Sequence, residues 1–233
     1  MCWRVIPQNS GADYMEPQVR NQLENLKLDR SRPLIVTDTD EVIAYFIAGL
    51  ERFLERNGYW LDLKSFAITG NIRKRGCGEI SSQEQVKSLL AEFFMHDTEA
   101  LDPVEGAAEA LRTLNKRAQI IVLSNVPATA HAARQRWLRR HDMDYPLVAN
   151  AGSKGLPLRF LAEQINAPVF FLDDLPPHLD AVAEQTSRVS LLHFIADKRL
   201  AALAGPSQSC HLYTSEWSDA QAFIERKLDS QGF

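Results

Sequence analysis

The sequence predicts an α/β protein: a doubly wound parallel sheet carrying a small helical piece inserted after its first strand. Three observations lead there. Short, continuous apolar runs, of the kind that fill strands buried on both faces, recur along the chain. From Leu101 onward they alternate with stretches of helical period, the rhythm of strand-helix-strand units. Between the first run and the second, the chain spends far more residues than a crossover requires.

Residues 1–32 read as an N-terminal extension. It is irregular around Pro7, Gly11 and Pro17, then helical where Val19, Leu23, Leu26 and Leu28 recur against the body. The first strand is the run Leu34-Ile35-Val36-Thr37, ending in Asp38-Thr39-Asp40-Glu41-Val42. Ile43, Phe46, Ile47, Leu50, Phe53 and Leu54 follow at helical spacing until Asn57-Gly58 stops them. Residues 59–78 are irregular, with Gly70, Gly76 and Gly78 around Arg73-Lys74-Arg75. Ser81 with Glu84 forms a capping box ahead of Val86, Leu89, Leu90, Phe93 and Phe94. Residues 42–99 are therefore expected to form a helical cap. At about 60 residues it would be marginal alone and must lean on the core, residues 33–41 and 100–233.

Within that core, Asp102-Pro103-Val104-Glu105 has the form of a helix start, with a cap, a proline at the first position and an acid at the third. Strands are expected at 120–123, 146–149, 169–172, 189–195 and 211–213. Helices are expected at 127–140, 157–165, 176–185, 197–204 and 218–228. Trp60, Trp137 and Trp217 are read as packing residues, and Cys77 as a small one.

Composition bounds the function. Hydrophobic content of 45% and charged content of 24% are those of an ordinary soluble domain. A net charge of −4 argues against a general nucleic-acid or anionic-membrane binder. No apolar run approaches the roughly 18 residues of a membrane span, and no secretory pattern opens the chain. Cys2, Cys77 and Cys210 are scattered, which suits reduced thiols and a cytoplasmic protein. No phosphate-binding Gly-x-x-x-x-Gly-Lys loop is present.

The chemistry gathers at strand ends. Asp38 and Asp40, two residues apart, can reach one small volume, where two carboxylates repel unless a cation or a shared proton relieves them. Mg2+, which prefers hard oxygen ligands together with phosphate, is the economical cation. Three later runs also end in polar groups: Ser124-Asn125, then Asn150 with Lys154 beyond it, then Asp173-Asp174. Taken singly, Ser124 is a possible helix cap, Lys154 a solvated loop lysine and Asp173-Asp174 a capping pair before Pro176. In open parallel sheets, however, ligands bind beyond the carboxyl ends of the strands, where all of these groups can converge.

Together they resemble the four motifs of the haloacid dehalogenase superfamily, mostly Mg2+-dependent phosphatases. The motifs are Asp38-Thr39-Asp40-Glu41-Val42 after a strand, Ser124 at a strand end, Lys154 at a helix start, and Asp173-Asp174 at a strand end. The resemblance spans about residues 34–180, and residues 42–99 occupy the place of the superfamily's C1 cap. It implies that Asp38 is the nucleophile, forming an aspartyl-phosphate, and that Asp40 is the acid and then the base. Ser124 and the Asn125 N–H would hold phosphoryl oxygens, and Lys154 would neutralise charge. Mg2+ would be held by Asp38, the Asp40 carbonyl, Asp174 directly, and Asp173 directly or from behind. Dehalogenases of the superfamily lack an acid at the second position, because a departing halide needs no proton, so Asp40 points to phosphoryl transfer. The substrate is then a small phosphorylated molecule; Arg73-Lys74-Arg75 reads as a solvated loop of the cap, the sharper alternative being that Arg73 or Arg75 reaches a second anionic group on that substrate. His178 is read as a helix residue near the site mouth. The alternatives are a phosphomutase, for which no cap lysine or histidine stands out, and a protein-interaction domain of the same fold with weak or vestigial hydrolysis.

Overall fold

The computed structural model describes residues 14–233; Cys2, Pro7 and Gly11 lie outside the described residues. The first helix, α1 (Pro17–Glu24), starts on a proline and buries Val19 and Leu23. It is followed by β1 (Leu34–Thr37), α2 (Phe46–Arg56), the short strands β2 (Tyr59–Leu61) and β3 (Ile72–Lys74), and α3 (Gln83–His96). Then come α4 (Ala107–Leu114), β4 (Gln119–Ser124), α5 (His131–Arg140), β5 (Leu147–Ala149), α6 (Gly155–Gln164) and β6 (Val169–Asp173). The chain closes with α7 (Pro176–Gln185), β7 (Val189–Phe194), α8 (Lys198–Ala204), β8 (Leu212–Thr214) and α9 (Trp217–Ser230).

Six strands form one sheet in the order β5-β4-β1-β6-β7-β8, every pairing parallel. The chain builds outward from β1 through β4 to β5, then crosses back to start again at β6. The order therefore reverses between β1 and β6, and a crevice opens there at the strands' carboxyl ends. Alternating residues of each strand serve opposite layers. Ile35, Ile120, Val122, Phe170 and Leu172 pack with α2, α3, α4 and α9. Leu34, Val36, Ile121, Leu123 and Phe171 pack with α1, α6 and α7. At the edge of the sheet the Gln22 side chain bonds Ala149 both ways, donating to its carbonyl at 3.1 Å and accepting from its N–H at 2.9 Å. That covers part of an edge otherwise open to pairing.

The segment between β1 and β4 is less purely helical than the sequence suggests. Residues 59–61 and 72–74 pair antiparallel as a small hairpin, Trp60 opposite Arg73. Three-residue strands carry too little alternation to be read from pattern. The capping box is one residue later than expected: Ser82 Oγ accepts from Gln85 N–H while Gln85 Oε1 accepts from Ser82 N–H. Residues 102–105 are not a helix start. The Tyr45 N–H donates to the Asp102 carbonyl and the Val104 N–H to the Ile43 carbonyl, so this stretch pairs with the loop after β1. Helix α4 instead begins after Gly106, whose φ of 77° is a conformation few other residues hold. Trp137 and Trp217 are buried as expected, but Trp60 and Cys77 are exposed. Among the described residues no helix is long and apolar enough to cross a membrane.

Helix α6 lies close against α7. A Cβ on Gly155 would stand 2.7 Å from the Ala181 carbonyl oxygen, a backbone atom that cannot turn aside. Gly155→Ala is expected to lower stability by about 1–3 kcal/mol, as overpacking does, which urea unfolding of the two proteins will measure.

Candidate active site

The loop after β1 is held from several directions. Thr39 O accepts from the N–H groups of Ile43 and Ala44 at 2.9 Å each, and the Trp217 indole N–H donates to the Val42 carbonyl at 2.9 Å. Glu41, at φ 57°, is buried at its centre. Its carboxylate accepts from the Ile47 N–H at 2.7 Å and the Asp197 N–H at 2.8 Å, tying the start of α2 to the loop before α8. Burial pushes this carboxyl up to about 7 despite those two bonds. The sequence reading gave Glu41 no role; an acid among Val42, Ile43 and Ala44 was the signal.

Asp38 and Asp173 come from neighbouring strands whose register sets Thr37 beside Leu172. Between them lies the fully buried ammonium of Lys154, 2.9 Å from Asp38 Oδ1 and 2.6 Å from Asp173 Oδ2. The second contact is an aligned hydrogen bond. The first is a less well aligned ion pair, in which Asp38 Oδ1 has the Lys154 ammonium as its partner among the described residues. Asp173 is saturated: the Leu175 N–H donates to it at 2.9 Å and His178 Nδ1 lies 3.2 Å away. Burial alone would raise the Asp173 carboxyl, but Lys154 and then His178 hold it well below the usual range. Burial also works against the Lys154 ammonium, yet Asp173 and Asp38 keep it charged with a raised pKa.

The other two acids stand differently. Burial first, then Asp173 and Asp40, push the Asp38 carboxyl up to about 6, against the pull of Lys154. Burial, Asp173, Asp38 and Glu41 together raise Asp174 well above its ordinary value. Its main chain is fixed from β7. The Ser207 N–H donates to His193 Nδ1 at 3.1 Å, leaving Nε2–H to donate to the Asp174 carbonyl at 2.9 Å. Among the described residues, Asp38, Asp173 and Asp174 each place one carboxylate oxygen within 4.8 Å of the other two. Asp173 already holds Lys154, the Leu175 N–H and His178, so the less engaged carboxylates of the three are Asp38 and Asp174. A hard divalent cation fits such a set, for it would reverse the repulsion that raises both carboxyls.

Asp40 Oδ1 accepts from Arg134 Nη2 at 2.6 Å. Arg134 is fully buried, its guanidinium carbon 5.8 Å from the Trp137 ring centroid, and its Nε and Nη1 have no acceptor among the described residues. This residue was missed, although Arg134, Trp137 and Leu138 share one face of α5 at helical spacing and all three are buried. Ser124 ends β4, with its Oγ buried and free of any protein partner. The Asn125 side chain is pinned by Asn150 at 2.7 Å and the Gly152 carbonyl at 2.9 Å.

A cavity of about 260 Å³ opens on Asp38, Asp40, Asn125, Asp174 and His178. Its opposite side is supplied by Phe46, Ile68, Thr69, Lys87, Leu90 and Phe94. Arg73 and Arg75 are not among its lining. Arg73 pairs with Asp62 at 2.7 Å and Arg75 pairs with Glu55, both within the inserted segment. The cation that this segment does bring to the cavity is Lys87.

No protein-family model matches the sequence, and no curated protein matches it. Solved structures do. A haloacid dehalogenase-like hydrolase from Streptococcus pneumoniae is 10% identical with a TM-score of 0.56, over 83% of this chain and 98% of that one. A predicted phosphoglycolate phosphatase from Haemophilus somnus 129pt is 11% identical, also at 0.56, over 84% and 99%. A dehalogenase is 12% identical at 0.53, over 84% and 98%. The chain thus has the fold of the haloacid dehalogenase-like hydrolases, a mostly parallel α/β sheet that phosphatases and dehalogenases alike are built on.

Removal of the two buried cations should differ in cost. Lys154→Met leaves Asp38 and Asp173 without a counter-charge and is expected to cost about 3–5 kcal/mol. Arg134→Met removes a guanidinium with two unpaired nitrogens and leaves Asp40 open to solvent, so its cost should stay below about 1 kcal/mol. Urea unfolding of both variants checks the contrast.

Proposed function

We propose that the protein is a Mg2+-dependent hydrolase of small phosphate monoesters that acts through an aspartyl-phosphate on Asp38. Core residues 33–41 and 100–233 carry the chemistry, and residues 42–99 act as the cap. The observation that carries this reading is the contrast at Lys154. It holds two buried acids, of which Asp173 is also engaged by the Leu175 N–H and His178, while Asp38 meets the lysine through Oδ1 and its carboxylate also lines the cavity. A carboxylate fixed in place, part desolvated and open on one side is suited to in-line attack on phosphorus.

Asp38 attacks and forms the acyl phosphate, dividing one displacement into two. Asp40 protonates the departing alkoxide and then takes a proton from the water that attacks the intermediate. Arg134 engages Asp40 through Oδ1 alone and so orients the carboxyl with Oδ2 left to carry the proton. The Ser124 hydroxyl and the Asn125 N–H receive phosphoryl oxygens, and Lys154 offsets charge beside the nucleophile. Bound by Asp38 and Asp174, with the Asp40 carbonyl, Mg2+ would supply positive charge to the phosphoryl oxygens. Asp173 serves from behind by fixing Lys154. A phosphomutase reading gains one observation, the presence of Lys87 in the cavity wall. It requires the phosphoryl group to return to substrate, so release of inorganic phosphate in step with substrate loss counts against it.

Asp38→Asn is expected to abolish phosphate release, measured colorimetrically over a panel of phosphomonoesters. Asp40→Asn and Arg134→Met should lower kcat for alkyl esters, the former by about 10²–10⁴-fold. Full activity in Asp38→Asn would mean another nucleophile. In the absence of substrate, Mg2+ at about 100 times its dissociation constant should stabilise the wild-type protein by about 2.7 kcal/mol. Asp174→Asn should lose that gain, as read by thermal unfolding with and without the ion.

A further inference from the structure

The face that α3 turns to the cavity carries more apolar surface than packing requires. Val86, Leu89 and Phe93 form its buried stripe, which is what an amphipathic helix needs to dock. Lys87, Leu90, Ala91 and Phe94 form a second row at spacings of three and four, and this row lines the cavity. Phe46 completes the wall, its ring centroid 5.8 Å from that of Phe94, and Ile68 stands with them. Among the described lining residues, the inserted segment offers only the Thr69 hydroxyl and the Lys87 ammonium as polar groups. The carboxyls and the carboxamide all belong to the opposite end, where the phosphoryl group is handled.

We propose that the organic group of the substrate is apolar, a single aromatic ring or a branched alkyl chain, and not a sugar or a nucleoside. This rests on the phosphomonoesterase reading above and names the substrate class of that same site. Hydroxyls entering between Phe46, Ile68, Leu90 and Phe94 lose water and find almost no partners, which is costly. An alkyl or aryl group gains by the same transfer. A cavity of about 260 Å³ admits a group of that size beside the phosphate.

The test uses the full chain with Mg2+ and compares esters of matched leaving ability, 3-methylbutyl phosphate against glycerol 3-phosphate, with phenyl phosphate, glucose 6-phosphate and AMP alongside. We expect kcat/KM for the 3-methylbutyl ester to exceed that for the glycerol ester by at least about tenfold. Leu90→Asn, and independently Ala91→Gln, should raise KM for the 3-methylbutyl ester by about tenfold while leaving the glycerol ester's unchanged. Equal or better turnover of the glycerol or glucose ester, or an equal rise in KM for both esters, overturns the substrate class and leaves the phosphatase reading standing. Absence of turnover for every ester overturns the phosphatase reading. Calorimetric titration of Asp38→Asn with the two esters then still decides the pocket's preference, tighter binding of the glycerol ester being the result against it.

Discussion

A buried ammonium group between two carboxylates from adjacent strands is the interaction on which this site depends. Taking one such ion out of water costs several kcal/mol, and the cost is met only where opposite charge lies at contact distance on more than one side. Lys154 has that arrangement because the sheet supplies it: β1 and β6 run parallel and in register, so Asp38 and Asp173 end side by side. The lysine arrives from the start of α6, whose approach to α7 is close enough to require glycine at 155. Sheet register and helix packing thus meet at one nitrogen. The arrangement is unsymmetrical in its consequences. Asp173, with a lysine, a histidine and a backbone N–H around it, is a fixed counter-charge; Asp38 meets the lysine through Oδ1 and has its carboxylate in the cavity lining.

Much of the framework was legible because its signals are strong and local. Continuous apolar runs of four to six residues mark strands covered on both faces, and the polar groups closing them fall at the carboxyl edge of the sheet. Asp38, Lys154, Asp173 and Asp174 do meet there. Weaker signals failed for identifiable reasons. Asp102-Pro103-Val104-Glu105 has the composition of a helix start, but its backbone groups find better partners in Ile43 and Tyr45, so a nonlocal pairing overrides a local preference. The hairpin of 59–61 and 72–74 is too short to show a period. Arg73-Lys74-Arg75 drew notice as a cluster of charge, yet the nearby acids Asp62 and Glu55 engage Arg73 and Arg75 away from the cavity.

Arg134 shows the opposite failure. Helix α5 carries four arginines, and helical spacing sets Arg134 on the side away from the other three. Three of them, Arg136, Arg139 and Arg140, are exposed and pair with Glu99, Asp144 and Glu99 in turn. The fourth shares the apolar face of Trp137 and Leu138, and a charged residue on an apolar face is the informative exception. Among the described residues its only acceptor is the carboxylate to which the resemblance assigns the proton transfers. Asp40 therefore sits between solvent and a cation that cannot give up its charge, while the carboxyl of Asp38 faces a cation shared with a second acid. Two aspartates two residues apart are thus given different surroundings, the condition under which like groups take different roles.

The inserted segment complements this division. Its first helix is bound firmly: Phe46, Ile47 and Leu50 are buried in a hydrophobic cluster continuous with Trp217 and Leu101 of the core, and the N–H of Ile47 is bonded by Glu41. Helix α3 is held by one stripe through Phe93, which packs edge-on against Phe46 and Phe53. Its other row, Leu90 and Phe94, remains half-buried at the cavity. On the proposed reading, the strand ends carry the groups that phosphoryl transfer needs, and the part of the wall that would distinguish one ester from another lies largely on α3. Changes on that row can alter what the pocket accepts while Lys154, Asp38 and Asp173 stay where the sheet puts them. On that reading, reaction type and substrate choice would rest on physically separate sets of contacts, one ionic and buried between strands, the other apolar and presented by a helix.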